Sequence, residues 1–175
     1  MLTSPPLPWR RLLPVLLAPS AVALAPLAAP AALLARTAPP ERPPGLVVLD
    51  ERPTPKGPQV LGVYGVQPDP ANPDLRRAQL WRQLVHEVLL TTDTVGCSPR
   101  APMRMTRVGD RWVVRELNPG GAVTPANRID HLVWWAVCHP EQAGRDPATL
   151  AALARQLGYS GELRESEQVL PGRAR

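Results

Sequence analysis

The sequence predicts a small α+β domain. In it a short antiparallel sheet, including a hairpin over residues 103–117, is packed by two or three helices over about 73–91, 125–138 and 147–157. Three observations carry this expectation. Apolar residues recur at helical spacing behind capping residues in three places, a Gly-Asp pair separates two strand-like segments, and the chain has only two cysteines, spaced to staple neighbouring elements.

The chain begins with an export pattern. Arg10 and Arg11 precede an uncharged run from Leu12 to Ala35 that ends in small residues, the order of a signal peptide. Pro14, Pro19, Pro26 and Pro30 interrupt the run. Each removes a helix hydrogen bond that lipid cannot replace, which favours cleavage over a retained anchor. Ala29-Pro30-Ala31 marks removal before Ala32, so residues 1–31 are the expected signal peptide. The alternative is a membrane anchor formed by residues 12–35. Residues 32–58 follow as a Pro-rich linker, with prolines at 39, 40, 43, 44, 53, 55 and 58, within which Gly45 to Asp50 has the makings of an edge strand.

An α+β domain is expected over 59–159. Gln59 to Gln67 has the β-branched and aromatic content of a strand. Asn72-Pro73-Asp74 offers a cap, a fixed first-turn φ and an acid for a helix carrying Ala78, Trp81, Leu84, Val85, Val88 and Leu89 on one stripe. Gly109-Asp110 closes a hairpin in which Val108 faces Arg111, Arg107 faces Trp112 and Met105 faces Val114. Its face of Met103, Met105, Trp112 and Val114 is the expected core side. Asn118-Pro119-Gly120-Gly121 is a turn. Thr124-Pro125 begins a helix with Ile129, Leu132, Val133, Ala136 and Val137 inward, and Asp146-Pro147 a third through Leu150, Leu153, Ala154 and Leu157. Residues 160–175 form a polar, frayed tail.

Composition narrows function mostly by exclusion. Phe is absent, so tryptophans with Leu and Val must fill the core. The net charge is +5, of which Arg10 and Arg11 supply two, and Lys occurs once, at Lys56. No dense basic stripe marks a nucleic-acid partner. In an exported chain Cys97 and Cys138 are expected to pair. Closing a loop of that length contributes about 3–4 kcal/mol in the chain-entropy model.

His86-Glu87 begins a zincin pattern, but Leu90 stands where the second histidine is needed, and no Cys or His spacing makes a metal site. No cofactor motif is present. One basic surface stands out: Arg104 and Arg115 should be cross-strand neighbours with Arg111 further along the same side. Like charges so placed repel unless an anion or an acidic partner lies between them. The expected protein is an exported, disulfide-stapled domain, a non-catalytic binding or structural protein of the cell envelope whose partner is an anionic ligand or an envelope protein. The alternative is a small extracytoplasmic hydrolase or thiol enzyme using a free Cys with His131 or His139.

Overall fold

Strands, not helices, organise most of the chain. In a computed structural model, which describes residues 40–172, seven strands form one antiparallel sheet in sequence order: β1 (Val47–Arg52), β2 (Gln59–Pro68), β3 (Leu75–Gln83), β4 (Val88–Gly96), β5 (Met103–Val108), β6 (Arg111–Glu116) and β7 (Ser166–Pro171). Between β6 and β7 the chain makes helix α1 (Arg128–Cys138), two single-turn 3₁₀ segments at Pro140–Gln142 and Pro147–Thr149, and the short helix α2 (Ala151–Gln156). The expected α+β domain, a short sheet packed by two or three helices, is therefore corrected to an extended sheet carrying one principal helix. The export segment and its cleavage position lie outside the described residues.

The largest correction falls on residues 73–91. They form most of a β-hairpin, with β3 and β4 paired from Leu75 opposite Gly96 to Gln83 opposite Val88. The capping residues do make a turn, since Asn72 Oδ1 accepts from the Asp74 amide at 3.0 Å, but that turn delivers the chain into a strand. Ala78 and Leu80 alternate with period two toward the core, while Trp81 and Gln83 are buried on the opposite face. The reversal at Leu84–Glu87, closed by the Leu84 amide donating to the Glu87 carbonyl at 2.8 Å, contains no Gly, Pro, Asn or Asp. Nothing local announces it.

The β5–β6 hairpin has the expected register, with Met105 opposite Val114 and Val108 opposite Arg111, and Gly109 takes a φ of +61° in the turn. Its faces are the reverse of the expectation. Arg104, Thr106 and Val113 are buried, whereas Met103, Met105, Trp112 and Val114 are only partly so. β1 lies inside the expected linker and pairs with β2, with Leu46 packed so closely on Gly62 that any Cβ there would meet it. β7 lies inside the expected frayed tail and pairs with β6 along its whole length.

Helix α1 starts at Arg128, three residues later than the Thr124-Pro125 signal implies, because Asn127 Oδ1 accepts from the Thr124 amide and holds those residues in a turn. It touches β1 to β5 on one side. Leu150, Ala154 and Tyr159, from the segment that follows it, complete the same core, so α1 is buried from Asp130 to Cys138. A helix covered all round needs no single apolar stripe. Trp134 and Trp135 are both within 1% of complete burial and meet edge to face with centroids 5.1 Å apart. The third expected helix is shorter than its span, a 3₁₀ turn capped by Asp146 followed by the six residues of α2.

Cys97 and Cys138 form a disulfide, with Cα atoms 5.4 Å apart. It ties the chain just beyond β4 to the last residue of α1. This clamps one end of the helix onto the sheet, and Trp134 Nε1 donates to the Gly96 carbonyl at 2.9 Å in the same corner.

Candidate functional site

The shortest pairing in the sheet is that of β4 with β5, and a chemically varied surface lies beside it. β3 and β4 are paired over nine positions, but β4 and β5 over three, from Thr94 opposite Met105 to Gly96 opposite Met103. Beyond Thr94 the two strands diverge into a fork. On the face that α1 covers, the fork opens beside the first turn of the helix as a cleft of about 400 Å³. This falls within the usual size range of small-molecule sites.

The floor and wall of the cleft carry Leu61, Leu80, Leu89, Val108 and Ile129. Leu89, Val108 and Ile129 remain 40%, 60% and 37% exposed. These side chains are apolar surface that the fold itself leaves open to water. Ile129, expected to face the core, thus lines the cleft.

Most of the other lining groups are charged. Arg104 is the centre: its Nε donates to Asp93 Oδ2 and its Nη1 to Asp130 Oδ1, both at 2.6 Å. Asp130 Oδ2 stands 3.6 Å from Arg115 Nε, and Arg115 Nη2 lies 2.8 Å from Glu167 Oε2. The cross-strand pairing of Arg104 with Arg115 is present, and the acidic group between them belongs to the protein: Asp130, brought in by α1. Desolvating such a set is compensated only where every charge has a partner, so Asp93, Asp130 and Arg104 stand or fall together. Arg111 sits apart at the strand end, its nearest carboxylate that of Asp110 at 3.8 Å.

The network of Asp93, Arg104, Asp130, Arg115 and Glu167 carries one net negative charge. A further arginine lines the cleft, Arg82, and it has no carboxylate partner among the described residues, whereas Arg107 turns its guanidinium to the opposite face of the sheet. Arg107 lies over the Trp112 ring at 5.9 Å and donates to the Gly109 carbonyl at 3.1 Å. With Arg82, the charges on the cleft face therefore sum to zero.

The histidines are dispersed. His86 is exposed in the β3–β4 turn. His131 is fully buried, its Nε2 2.7 Å from Glu165 Oε1 and its Nδ1 without a partner among the described residues. Glu165 also accepts from the Asn118 amide and the Asn127 side chain. Glu165 and His131 thereby brace the turn at 118–121 against α1 and the entry to β7. His139 Nε2 stands 3.3 Å from the Tyr159 hydroxyl, which donates to the Cys97 carbonyl at 2.8 Å. Burial holds the His139 pKa below its ordinary value of 6.5, against the opposing charge of Glu141 and with that of Arg76. The same burial raises Tyr159 above 10.0.

With both sulfurs in the disulfide, no cysteine is free to serve as a nucleophile. The thiol-enzyme alternative thereby loses its reacting group. Among the described residues no His, Cys, Asp and Glu side chains are grouped to hold a metal ion, and no helix is long and apolar enough to cross a membrane. No protein family, curated protein or solved structure matches the chain.

Sequence reasoning singled out Arg104 and Arg115 but missed Asp93, Asp130 and Arg82 as their company, and it placed Arg107 beside Trp112, where it lies. Asp93 was legible in principle, as the only charge in the Thr-rich segment Leu90 to Val95.

Proposed function

We propose that the protein is an exported, non-catalytic binding domain whose ligand occupies the cleft at the fork between β4 and β5. The observation that carries this reading is the exposed aliphatic surface of Leu89, Val108 and Ile129 gathered with the unpaired Arg82 in one cavity. Export is supported by the Arg10-Arg11 pair with the apolar run behind it and by the disulfide, which persists in oxidising compartments.

The test uses the neutral apolar dye Nile red. Its fluorescence should rise and shift to the blue on the native protein, and Ile129→Arg should abolish the change without altering the melting temperature. Equal binding by the variant, or none by either, removes the cleft as the site. For export, intact mass of the protein recovered from the host's envelope should correspond to a chain beginning near Ala32. A cytosolic product beginning at Met1 with two titratable thiols overturns that part.

A further inference from the structure

The two edges of the sheet differ. β1 carries a bulge between Val48 and Asp50, prolines at 43, 44 and 53 flank it, and α1 packs against it. Gly144 also lies so close to it that a Cβ there would stand 3.2 Å from the Val48 carbonyl oxygen. β7, by contrast, is regular and bare. It pairs with β6 residue for residue from Ser166 to Pro171, all six of its residues are exposed, and β6 is its only close neighbour among the described elements. An edge of this kind presents a row of backbone donors and acceptors to any strand that fits it. We propose that a second copy of the chain fills it, β7 pairing antiparallel with β7 about a two-fold axis at Val169.

The backbone limits the register. The Gly172 amide donates inward to the Asp110 carbonyl at 2.7 Å, and inward and outward groups alternate along a strand. Glu167 and Val169 therefore direct their N–H and C=O groups outward. Pro171 directs its carbonyl outward too and has no N–H to place. An axis at Val169 sets Val169 opposite Val169 and Glu167 opposite Pro171, so every outward N–H meets a carbonyl.

Charge selects this register. Arg111 stands opposite Pro171 on the face that carries Glu167, and its nearest carboxylate is that of Asp110 at 3.8 Å, both groups open to water. In the paired copies one row across the junction reads Arg111, Pro171, then Glu167 and Arg115 of the second copy. Arg111 and that Glu167 are two strand spacings apart, about 10 Å, with only the short Pro171 between, a gap that their side chains close. The two-fold repeats the contact. Moving the axis to Gln168 satisfies as many N–H groups, but it sets the two Glu167 carboxylates diagonal to each other. It also brings Arg111 into line with Glu165, which Asn118, Asn127 and His131 already hold. The axis at Val169 thus gives Arg111, which stands apart from Arg104 and Arg115, a carboxylate of its own. Val169, 50% exposed, packs on its symmetry mate. Glu167 also lines the cleft, so one copy's Arg111 arrives at the rim of the other's cleft.

Sedimentation equilibrium of the disulfide-bonded chain across micromolar to millimolar concentrations tests the contact. It should show a reversible monomer–dimer equilibrium, weak because one strand pair buries less than a standard interface, and weaker still in high salt. Arg111→Glu and Glu167→Arg should each weaken self-association about tenfold, because each homodimer then sets like charges across the junction. An equimolar mixture of the two should dimerise as the native chain does, both of its contacts being Arg with Glu. Val169→Pro removes an outward N–H and none of the bonds to β6, so it should abolish the dimer while leaving the melting temperature in place. A chain that stays monomeric at every concentration overturns the second copy as occupant. A dimer that Val169→Pro and both charge reversals leave intact overturns β7 as the surface. A mixture no more associated than its two components overturns the register.

Discussion

The face of the sheet beneath α1 divides into two halves built from the same strands. In one half Val63, Ala78 and Val95 lie under Leu132, Val133 and Trp134, all nearly or fully buried and locked at the corner by the disulfide. In the other, four residues along β3 and six along β4, and on the neighbouring β5 and β6, the positions are Arg82, Leu89, Thr106 and Arg115, and the surface is an open cleft. The boundary runs through Arg104 and Asp130. The difference teaches that a strand's inward face has no uniform chemistry. What covers it decides whether the next inward position must be apolar or is free to carry a charge. A single helix of eleven residues spans about 16 Å, too short to cover seven strands at roughly 4.8 Å spacing.

The strongest way to break the comparison is at its boundary. Arg104→Ala should cost about 3–5 kcal/mol, because it leaves the fully buried Asp93 carboxylate with an uncompensated charge. Urea denaturation of the variant measures this directly. A loss under about 1 kcal/mol would mean that the boundary is wet and belongs to the cleft.

The closed half is next. Cys138→Ser should lower stability by about 3 kcal/mol and the melting temperature by more than about 10 °C, and reduction of the wild type should reproduce that shift. The open half, which the disulfide does not clamp, should keep its Nile red binding at temperatures below the new transition. Unchanged melting in reductant sinks the idea that the bridge holds the closed half.

The smallest effect sharpens the comparison by pH. His139 packs against Trp134 and Trp135, with ring centroids at 5.4 and 5.2 Å, and faces Tyr159, Glu141 and Arg76. Its folded pKa is depressed below 6.5. As pH falls below that value the unfolded chain takes up a proton that the folded one resists, so stability is present above pH 6.5 and is lost until the folded pKa is passed. His139→Gln should flatten this part of the stability curve. An identical slope in the variant would assign the pH response elsewhere.

Several features were legible from residues alone because their causes are local. The β5–β6 hairpin and its register follow from Gly109-Asp110, β2 from its β-branched content, α1 from its apolar content, and the disulfide from the presence of just two cysteines. The sequence by itself therefore determined the hairpin, the helix, the turn at 118–121 and the covalent link. The identity of 73–91 was decided in three dimensions. Ala78, Trp81, Val85 and Val88 satisfy helical spacing, while Ala78 and Leu80 satisfy strand spacing on the core face with Trp81 on the other. The choice falls to the pairing of β3 with β2 and β4, contacts that no local pattern records. The inward turn of Arg104 was likewise beyond the sequence. An arginine in a strand is ordinarily solvated, and only the convergence of Asp93 from β4 with Asp130 from α1 makes its burial stable. The edge strands β1 and β7 have the same origin. Neither segment has enough apolar content to fold alone, and each becomes a strand because β2 or β6 presents an unpaired row of backbone donors and acceptors that must be satisfied.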